Sequence, residues 1–278
     1  MKKETQTKID RAIEFLQSIK LAEGEAVELA YSGGKDSDVI LQLAKESGIN
    51  FRAIYKNTTI DPPGTIKHVR EKGVEIVTPK KDFATLIQEK GLPNRFRRFC
   101  CQNLKEYKIL DKVIIGVRRA ESKKRAKLYQ EPTQCRFYGS KKEKNHVVAY
   151  YPILDWEDND IESFIKDREI KLHSLYYRED GSLDVTRRLG CMCCPLASRK
   201  KRIAEFKKNP NMVRFYINNL KRYVKDHPIR KYKSVYEWFV RDVFYKNESD
   251  FDQSQKKGLF PSEINYKTFL ENYFNIRL

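Results

Sequence analysis

Two hydrophobic periods alternate along this chain. Residues 7–20 set Ile9, Ala12, Ile13, Phe15, Leu16 and Ile19 on one face at helical spacing. Residues 26–31 alternate instead, and predict a buried strand; residues 39–44 return to the helical period. A second strand is predicted over 51–55, followed by a loop over 57–63 in which Pro62 or Pro63 suits the first turn of a new helix. A short strand over 74–77, a helix over 82–89 and an apolar strand over 112–116 ending in glycine come next. Strands alternating with helices predict an α/β fold, a doubly wound and mostly parallel sheet. Such sheets hold ligands beyond the carboxyl ends of their strands. The loops at 32–37, 57–61 and 116–122 all leave those ends, so they are expected to converge on one ligand.

Residues 123–147 are polar and basic with no clear period, and read as a mobile excursion able to close over that ligand. Structure resumes over 150–156. An acidic-started helix follows over 157–166, with Asp155 as its expected cap. From Pro195 onward the pattern is almost wholly helical. The division expected is a nucleotide-binding domain over 1–194 and a basic helical extension over 195–278.

Charge sharpens this picture. The 278 residues carry 56 Lys and Arg against 38 Asp and Glu, a net +18, with 40% hydrophobic residues to build a core. Residues 195–278 alone hold 19 basic against 9 acidic residues, and 16 of the 33 aromatics. Such a surplus points to a polyanion, most simply nucleic acid, although a solvated basic face gives the same composition. In the tail, Ile203, Phe206, Met212, Phe215, Tyr216, Leu220 and Tyr223 keep helical spacing and are expected in a core. Lys207, Lys208, Arg214, Lys221, Arg222 and Lys225 are expected outside, where they would hold phosphates. No apolar run approaches a membrane span, and the first residues are polar, so no membrane partner and a cytoplasmic location are expected. In that compartment six cysteines mean metal or redox chemistry more often than disulfides.

The chemistry centres on Ser32-Gly33-Gly34-Lys35-Asp36-Ser37, set between the first strand and a helix. Paired glycines let the backbone approach an oxyanion, and the helix N-terminus favours its charge. Ser32 and Ser37 add hydroxyls and Lys35 adds a mobile cation. Asp36, an acid in an anion site, holds the loop or a metal ion rather than the phosphate. The spacing is not that of the Gly-x4-Gly-Lys-Ser/Thr phosphate loop. The plain alternative is an ordinary helix cap after a glycine turn.

Five of the six cysteines fall in two groups, Cys100-Cys101 and Cys191-Met192-Cys193-Cys194, with 89 residues between Cys101 and Cys191. Cys191 and Cys194 form a C-x-x-C pair. Neighbouring thiolates such as Cys100 and Cys101 rarely fit one tetrahedral zinc but can reach two irons of a cubane. Ligand softness alone admits either centre. Arg97, Arg98, Lys105, Arg187 and Arg188 lie near these groups in sequence and would offset their negative charge.

The Ser32–Ser37 motif resembles the pyrophosphatase loop of the adenine-nucleotide alpha-hydrolase superfamily, whose members bind ATP or adenylyl sulfates. The cysteine arrangement is similar to the [4Fe-4S] pattern of the adenylyl-sulfate reductases. Gly116-Val117-Arg118-Arg119-Ala120-Glu121-Ser122 with Arg125, and Pro152-Ile153-Leu154-Asp155-Trp156, resemble two further motifs of that family. Thr58-Thr59-Ile60-Asp61-Pro62-Pro63 stands where the reductases carry a Thr-Gly loop, and looks like the phosphoadenosine phosphosulfate (PAPS) reductase-like proteins of prophages and mobile elements. The resemblance covers about residues 25–210.

It implies a nucleotide, ATP or PAPS/APS, held by Ser32, Gly33, Gly34, Lys35, Asp36 and Ser37, with Mg2+ among the phosphates. Thr58, Thr59 and Asp61 would line the same site, as would Gly116, Arg118, Glu121, Ser122 and Arg125. Lys35, Asp36 and Arg118 are the implied catalytic groups. Cys100, Cys101, Cys191 and Cys194 are the implied ligands of a [4Fe-4S] cluster. One departure stands out. The reductases attack sulfur with a cysteine in a C-terminal Glu-Cys-Gly context, and no cysteine occurs after Cys194 here. Cys135 and Cys193 are the spare thiols.

Three functions follow from this reading. The first is adenylation-dependent sulfur transfer to a nucleic acid, tRNA or DNA, fed by a sulfur-donor protein. The second is a sulfonucleotide reductase served by an external thiol or a thioredoxin-like reductant. The third is a non-catalytic nucleotide-binding regulator, which the intact Lys35, Asp36 and Arg118 oppose.

Overall fold

The computed structural model describes residues 3–138, 145–244 and 265–278. Its strands form one six-stranded sheet. In chain order they are β1 (Val27–Tyr31), β2 (Phe51–Lys56), β3 (Glu75–Val77), β4 (Lys112–Ile115), β5 (Thr133–Tyr138) and β6 (Asn145–Tyr150), and their order across the sheet is β3-β2-β1-β4-β6-β5. Every pairing is parallel except that of β5 with β6. This is the expected doubly wound α/β sheet. The chain leaves β1 toward β2 and β3, then returns to place β4 on the other side of β1. The order therefore reverses between β1 and β4, the point at which open parallel sheets bind ligands.

β1 is buried on both faces, as covered parallel strands are, and even Glu28 is sealed in it. Its carboxylate is matched by Lys56 Nζ at 2.9 Å. The helices α1 (Lys3–Gln17) and α2 (Lys35–Ser47) cover the sheet with Ile9, Ala12, Leu16, Val39, Ile40 and Leu43, all in its main core. α3 (Thr65–Glu71) begins after Gly64, so Pro62 and Pro63 precede the helix rather than form its first turn.

Contacts divide the chain into two units, residues 1–79 with 104–190 and residues 80–103 with 191–278. The first holds the sheet. The second gathers α4 (Phe83–Lys90), α5 (Phe99–Leu104, whose last residue belongs to the first unit), and the later helices α8 (Arg199–Lys208), α9 (Pro210–Asp226), α10 (Val235–Phe244) and α11 (Tyr266–Phe274). Its core is aromatic: Phe83, Phe206, Tyr216, Phe239 and Phe274 are all buried. A linear cut at 194 leaves 80–103 with the sheet, whereas Phe83 on α4 stacks at 6.2 Å on Phe215 of α9.

The segment expected as an irregular excursion is ordered on both sides of residues 139–144, which lie outside the described residues. It contains α6 (Lys123–Leu128) and the antiparallel β5–β6 hairpin. β5 is an edge strand with alternating exposure, and its polar residues hide the strand period. α7 (Asp158–Asp167) is capped by Glu157 in a reciprocal box with Asp160, not by Asp155, which instead pairs with Arg119. The part of the basic tail over 245–264 also lies outside the described residues. Among those described, no helix is long and apolar enough to cross a membrane.

Candidate functional site

The Ser32–Ser37 loop leaves β1 and enters α2 with Gly34 at the N-cap. Gly33 sits at φ +76°, a left-handed conformation that L side chains rarely adopt. Ser37 Oγ donates to the Gly34 carbonyl at 2.7 Å and lies 3.2 Å from Ser32 Oγ. Tyr176 braces the loop: its hydroxyl oxygen accepts from the N–H groups of Lys35 at 3.1 Å and Leu189 at 3.2 Å. No sequence motif marks Tyr176.

Lys35, only 2% exposed, points its Nζ at Asp36 Oδ2, 3.1 Å away. The other oxygen of Asp36 accepts from Arg118 Nε at 2.6 Å. Arg118 is 1% exposed and also donates to the Trp156 carbonyl at 3.2 Å and Asp158 Oδ1 at 2.7 Å. Burial works against its charge, but Asp36 and Asp158 outweigh burial and raise its pKa above the ordinary value. The loops after β1 and β4 thus meet at the switch point, as expected. Asp158, in the acidic first turn of α7, is a partner the sequence reading did not single out.

Gly116 permits this meeting. A Cβ there would stand 3.0 Å from the Asp36 carbonyl oxygen and 3.1 Å from its carbon. Beyond it, Glu121 pairs with Arg125 and, at 3.6 Å, with Arg188. Ser122 caps α6, accepting from the Arg125 N–H at 3.2 Å. Arg125 is pushed below its usual range by burial, and then by the nearby Arg188. Arg187 donates to the carbonyls of Leu175 and Tyr177. Arg187 and Arg188 therefore hold loops of the first unit.

After β2, Thr59 takes φ +59°, and its N–H donates to Asn57 Oδ1 at 2.8 Å. Asp61 accepts from the Tyr55 hydroxyl and from the N–H of Thr58. The loop ends at Thr65, whose methyl would lie 3.3 Å from a Cβ on Gly33. Beneath the first loop a polar network runs through the core. Asp38 accepts from the Tyr31 hydroxyl at 2.5 Å, faces His68 Nε2 at 2.9 Å and Lys72 Nζ at 3.8 Å. Burial, and then the Asp38 charge, raise the Tyr31 pKa. Burial, and then His68, lower that of His173, whose ring stands edge-on to His68 at 5.9 Å.

All four expected metal ligands belong to the second unit. Cys100, Cys101, Cys191 and Cys194 are half-buried and form no disulfide. The Cys100 thiol is raised by its hydrogen bond with Cys101, then by burial, and it also senses Cys191. Cys193 is different. It is buried at φ +53°, its N–H donates to Glu205 Oε2 at 2.8 Å, and its carbonyl accepts from Arg202 Nε at 3.2 Å. α8 thereby holds the Cys-x-x-Cys turn. Burial, and then Glu205, push the Cys193 thiol up to about 12, so it is a poor nucleophile. Cys135 is exposed on β5 in the first unit.

Among the described residues, no three His, Cys, Asp or Glu side chains form a cage for a single metal ion. The same unit does leave two buried donors without an acceptor. The Tyr216 hydroxyl and Arg202 Nη2 are buried without a hydrogen-bond partner; burial raises the Tyr216 pKa well above its ordinary value, Arg202 works against it, and Cys193, Cys100 and Cys194 add to it. On the same unit, Lys207 lies 4.3 Å over the Tyr273 ring and Lys221 5.3 Å over Tyr236. Arg214 donates to the Arg277 carbonyl and Asn211. These partners leave the cationic charge unneutralised.

Residues 26–197 match the model of the phosphoadenosine phosphosulfate reductase domain. An uncharacterized protein of Methanocaldococcus jannaschii is 29% identical over 214 residues, covering 72% of this chain and 49% of that protein. Sulfate adenylyltransferase subunit 2 of Mycolicibacterium vanbaalenii is 27% identical over 193 residues, covering 60% of this chain and 62% of that one. The chain thus spans about half to three-fifths of the length of these curated relatives. Among solved structures, the U34-tRNA thiolase NcsA from Methanococcus maripaludis with its [4Fe-4S] cluster aligns with a TM-score of 0.40 at 17% identity, covering 80% of this chain and 78% of that one. The family match runs from β1 to just past the Cys191–Cys194 turn, over more than half of the chain. The protein therefore belongs to the phosphoadenosine phosphosulfate reductase domain family.

Proposed function

We propose that this protein binds ATP at the Ser32–Ser37 loop and uses it to activate a nucleic acid, tRNA or DNA, for sulfur transfer. The observation that carries this reading is the junction of Lys35 and Arg118 on one carboxylate, Asp36, at the switch point of the sheet. Two buried cations from separate strand ends make a clamp for a polyphosphate. An arriving phosphate competes with Asp36 for both cations. The released Asp36 carboxylate would be free to ligate a Mg2+ accompanying the nucleotide. The hydroxyls of Ser32 and Ser37 and the dipole at the start of α2 complete the cradle. Thr58, Thr59 and Asp61, with Glu121, Ser122 and Arg125, line the approach.

With the phosphates held, an oxygen of the acceptor attacks the α-phosphorus. The bond to the bridging oxygen breaks, and pyrophosphate leaves with the electron pair. Hydrosulfide delivered by a donor protein then attacks the activated base carbon, and AMP leaves with the former acceptor oxygen and its electron pair. Lys35 and Arg118 offset the charge that develops on the phosphates in the first step. Cys100, Cys101, Cys191 and Cys194 would hold a [4Fe-4S] cluster, which supplies a soft site for sulfur or electrons. The uncompensated Lys207, Lys208, Arg214 and Lys221 supply a surface for the acceptor's phosphates.

Family membership favours a second reading, reduction of phosphoadenylyl sulfate by an external thiol or thioredoxin-like protein. Residues 195–278 contain no cysteine, and the Cys193 thiol is buried, so neither supplies the family's attacking group. The two readings separate in one experiment. Anaerobically purified protein is incubated with ATP plus RNA or DNA, or with phosphoadenylyl sulfate plus a thiol, while pyrophosphate, AMP and sulfite are followed. Acceptor-dependent pyrophosphate and AMP are expected. Sulfite release without any ATP cleavage would make the protein a reductase.

A further inference from the structure

Tyr216 of α9 is fully buried, yet its hydroxyl has no hydrogen-bond partner. Its ring has no freedom to seek one. Phe206 at 5.5 Å and Phe83 at 5.7 Å meet it edge-on, and Phe239 packs at 6.0 Å. Arg202 of α8 is 4% exposed and spends Nη1 on Asp242 at 2.9 Å and Nε on the Cys193 carbonyl, but its Nη2 is also unpartnered. Leaving a buried donor unmade is costly, and aromatic cores rarely keep a tyrosine where phenylalanine would fill the same space. Two such donors in one unit call for an acceptor that the polypeptide does not provide. Both donors pack on Phe206, Tyr216 edge-on to it and the Arg202 guanidinium 5.8 Å over its ring, and Arg202 reaches the Cys191–Cys194 turn through the Cys193 carbonyl at 3.2 Å.

We infer that the Tyr216 hydroxyl and Arg202 Nη2 donate hydrogen bonds to sulfur of the cluster held by the cysteines, and so set its reduction potential and its retention. This rests on the cluster reading above. Donors aimed at cluster sulfurs stabilise the more negative, reduced state and raise the potential. Cys193 gains a role from the same geometry. As a buried residue in a strained turn, it lets α8 grip the Cys191–Cys194 loop through its backbone, its N–H held by Glu205 and its carbonyl by Arg202.

The test is Tyr216→Phe in the full-length holoprotein, reconstituted without oxygen. The midpoint potential should move to more negative values while iron content stays at the wild-type level. Iron loss to a chelator should become several-fold faster. Thermal unfolding adds a sign that packing alone does not give. The metal-free variant should melt at or above the metal-free wild type, because an unmade donor has gone, whereas the iron-loaded variant should melt below its wild type. Phe239→Leu, which loosens the same aromatic packing without touching a donor, should lower both melting temperatures and leave the potential in place. An iron-loaded Tyr216→Phe protein with unchanged potential and chelator kinetics overturns this inference alone. A wild type that takes up no iron overturns it together with the cluster reading.

Discussion

Arg118 Nε stands 2.6 Å from Asp36 Oδ1, while Lys35 Nζ stands 3.1 Å from Asp36 Oδ2. One carboxylate therefore gathers two cations that come from opposite sides of the sheet's reversal point. Lys35 is nearly inaccessible, so its charge is directed rather than spread over the surface. Lys35→Ala should lose one charge-assisted hydrogen bond to phosphate, about 1.5–3 kcal/mol, or roughly a 10- to 150-fold weaker ATP affinity. Titration calorimetry reads it directly. Unchanged affinity with an intact fold would remove the loop from the nucleotide site.

Gly116→Ala is a steric test of the same junction. The new methyl would meet the backbone of Asp36, at 3.0 Å from its oxygen, where no flexible side chain can give way. The loops after β1 and β4 must part, which separates Arg118 from Asp36. We expect a loss of stability of about 1–3 kcal/mol and a larger fall in nucleotide affinity than in Lys35→Ala. A variant that binds ATP as the wild type does would show that the two loops need not touch.

Tyr31→Phe examines the network under the loop. Its hydroxyl donates to the fully buried Asp38, which His68 and Lys72 also face. Removing one donor to a buried charge should cost about 1.5–3 kcal/mol. Urea unfolding should show a lower midpoint at unchanged slope. A neutral result would mean that His68 and Lys72 satisfy Asp38 unaided.

Iron content decides the nature of the cysteine centre. Protein purified without oxygen should be brown and hold about four irons per chain. Cys191→Ser and Cys100→Ser should each abolish most of that iron, while Cys135→Ser on the edge strand should retain it. One tightly bound zinc and no iron would overturn the cluster.

The basic helices bear on the acceptor. Among the described residues, no carboxylate pairs with Lys207, Lys208, Arg214 or Lys221. Changing all four to Gln should weaken binding to RNA or DNA at low salt. Each lost phosphate contact should flatten the slope of log affinity against log salt by roughly 0.7–0.9. ATP affinity should stay the same. No binding to any nucleic acid by the wild type at low salt would leave these helices as a solvated basic face.

Local patterns in the sequence determined the α/β class, the strand–turn–helix at Ser32–Ser37 and the paired cysteines. Each of these depends on residues close together along the chain, such as the alternation in Val27–Tyr31 or the glycines before α2. Helix caps and edge strands were less legible. β5 carries polar residues because an edge needs no second apolar face, so its period vanished into a segment that looked irregular. Tertiary structure alone decided that residues 80–103 join the C-terminal helices, which brings Cys100 and Cys101 into the same unit as Cys191 and Cys194. It also decided that Asp158 holds Arg118, that Tyr176 braces the Lys35 backbone, and that Tyr216 and Arg202 are buried with a donor to spare. The physical reason is the same in each case. A hydrogen bond or a burial between residues tens of positions apart leaves no periodic trace in the chain, because it is set by where the packed elements stop.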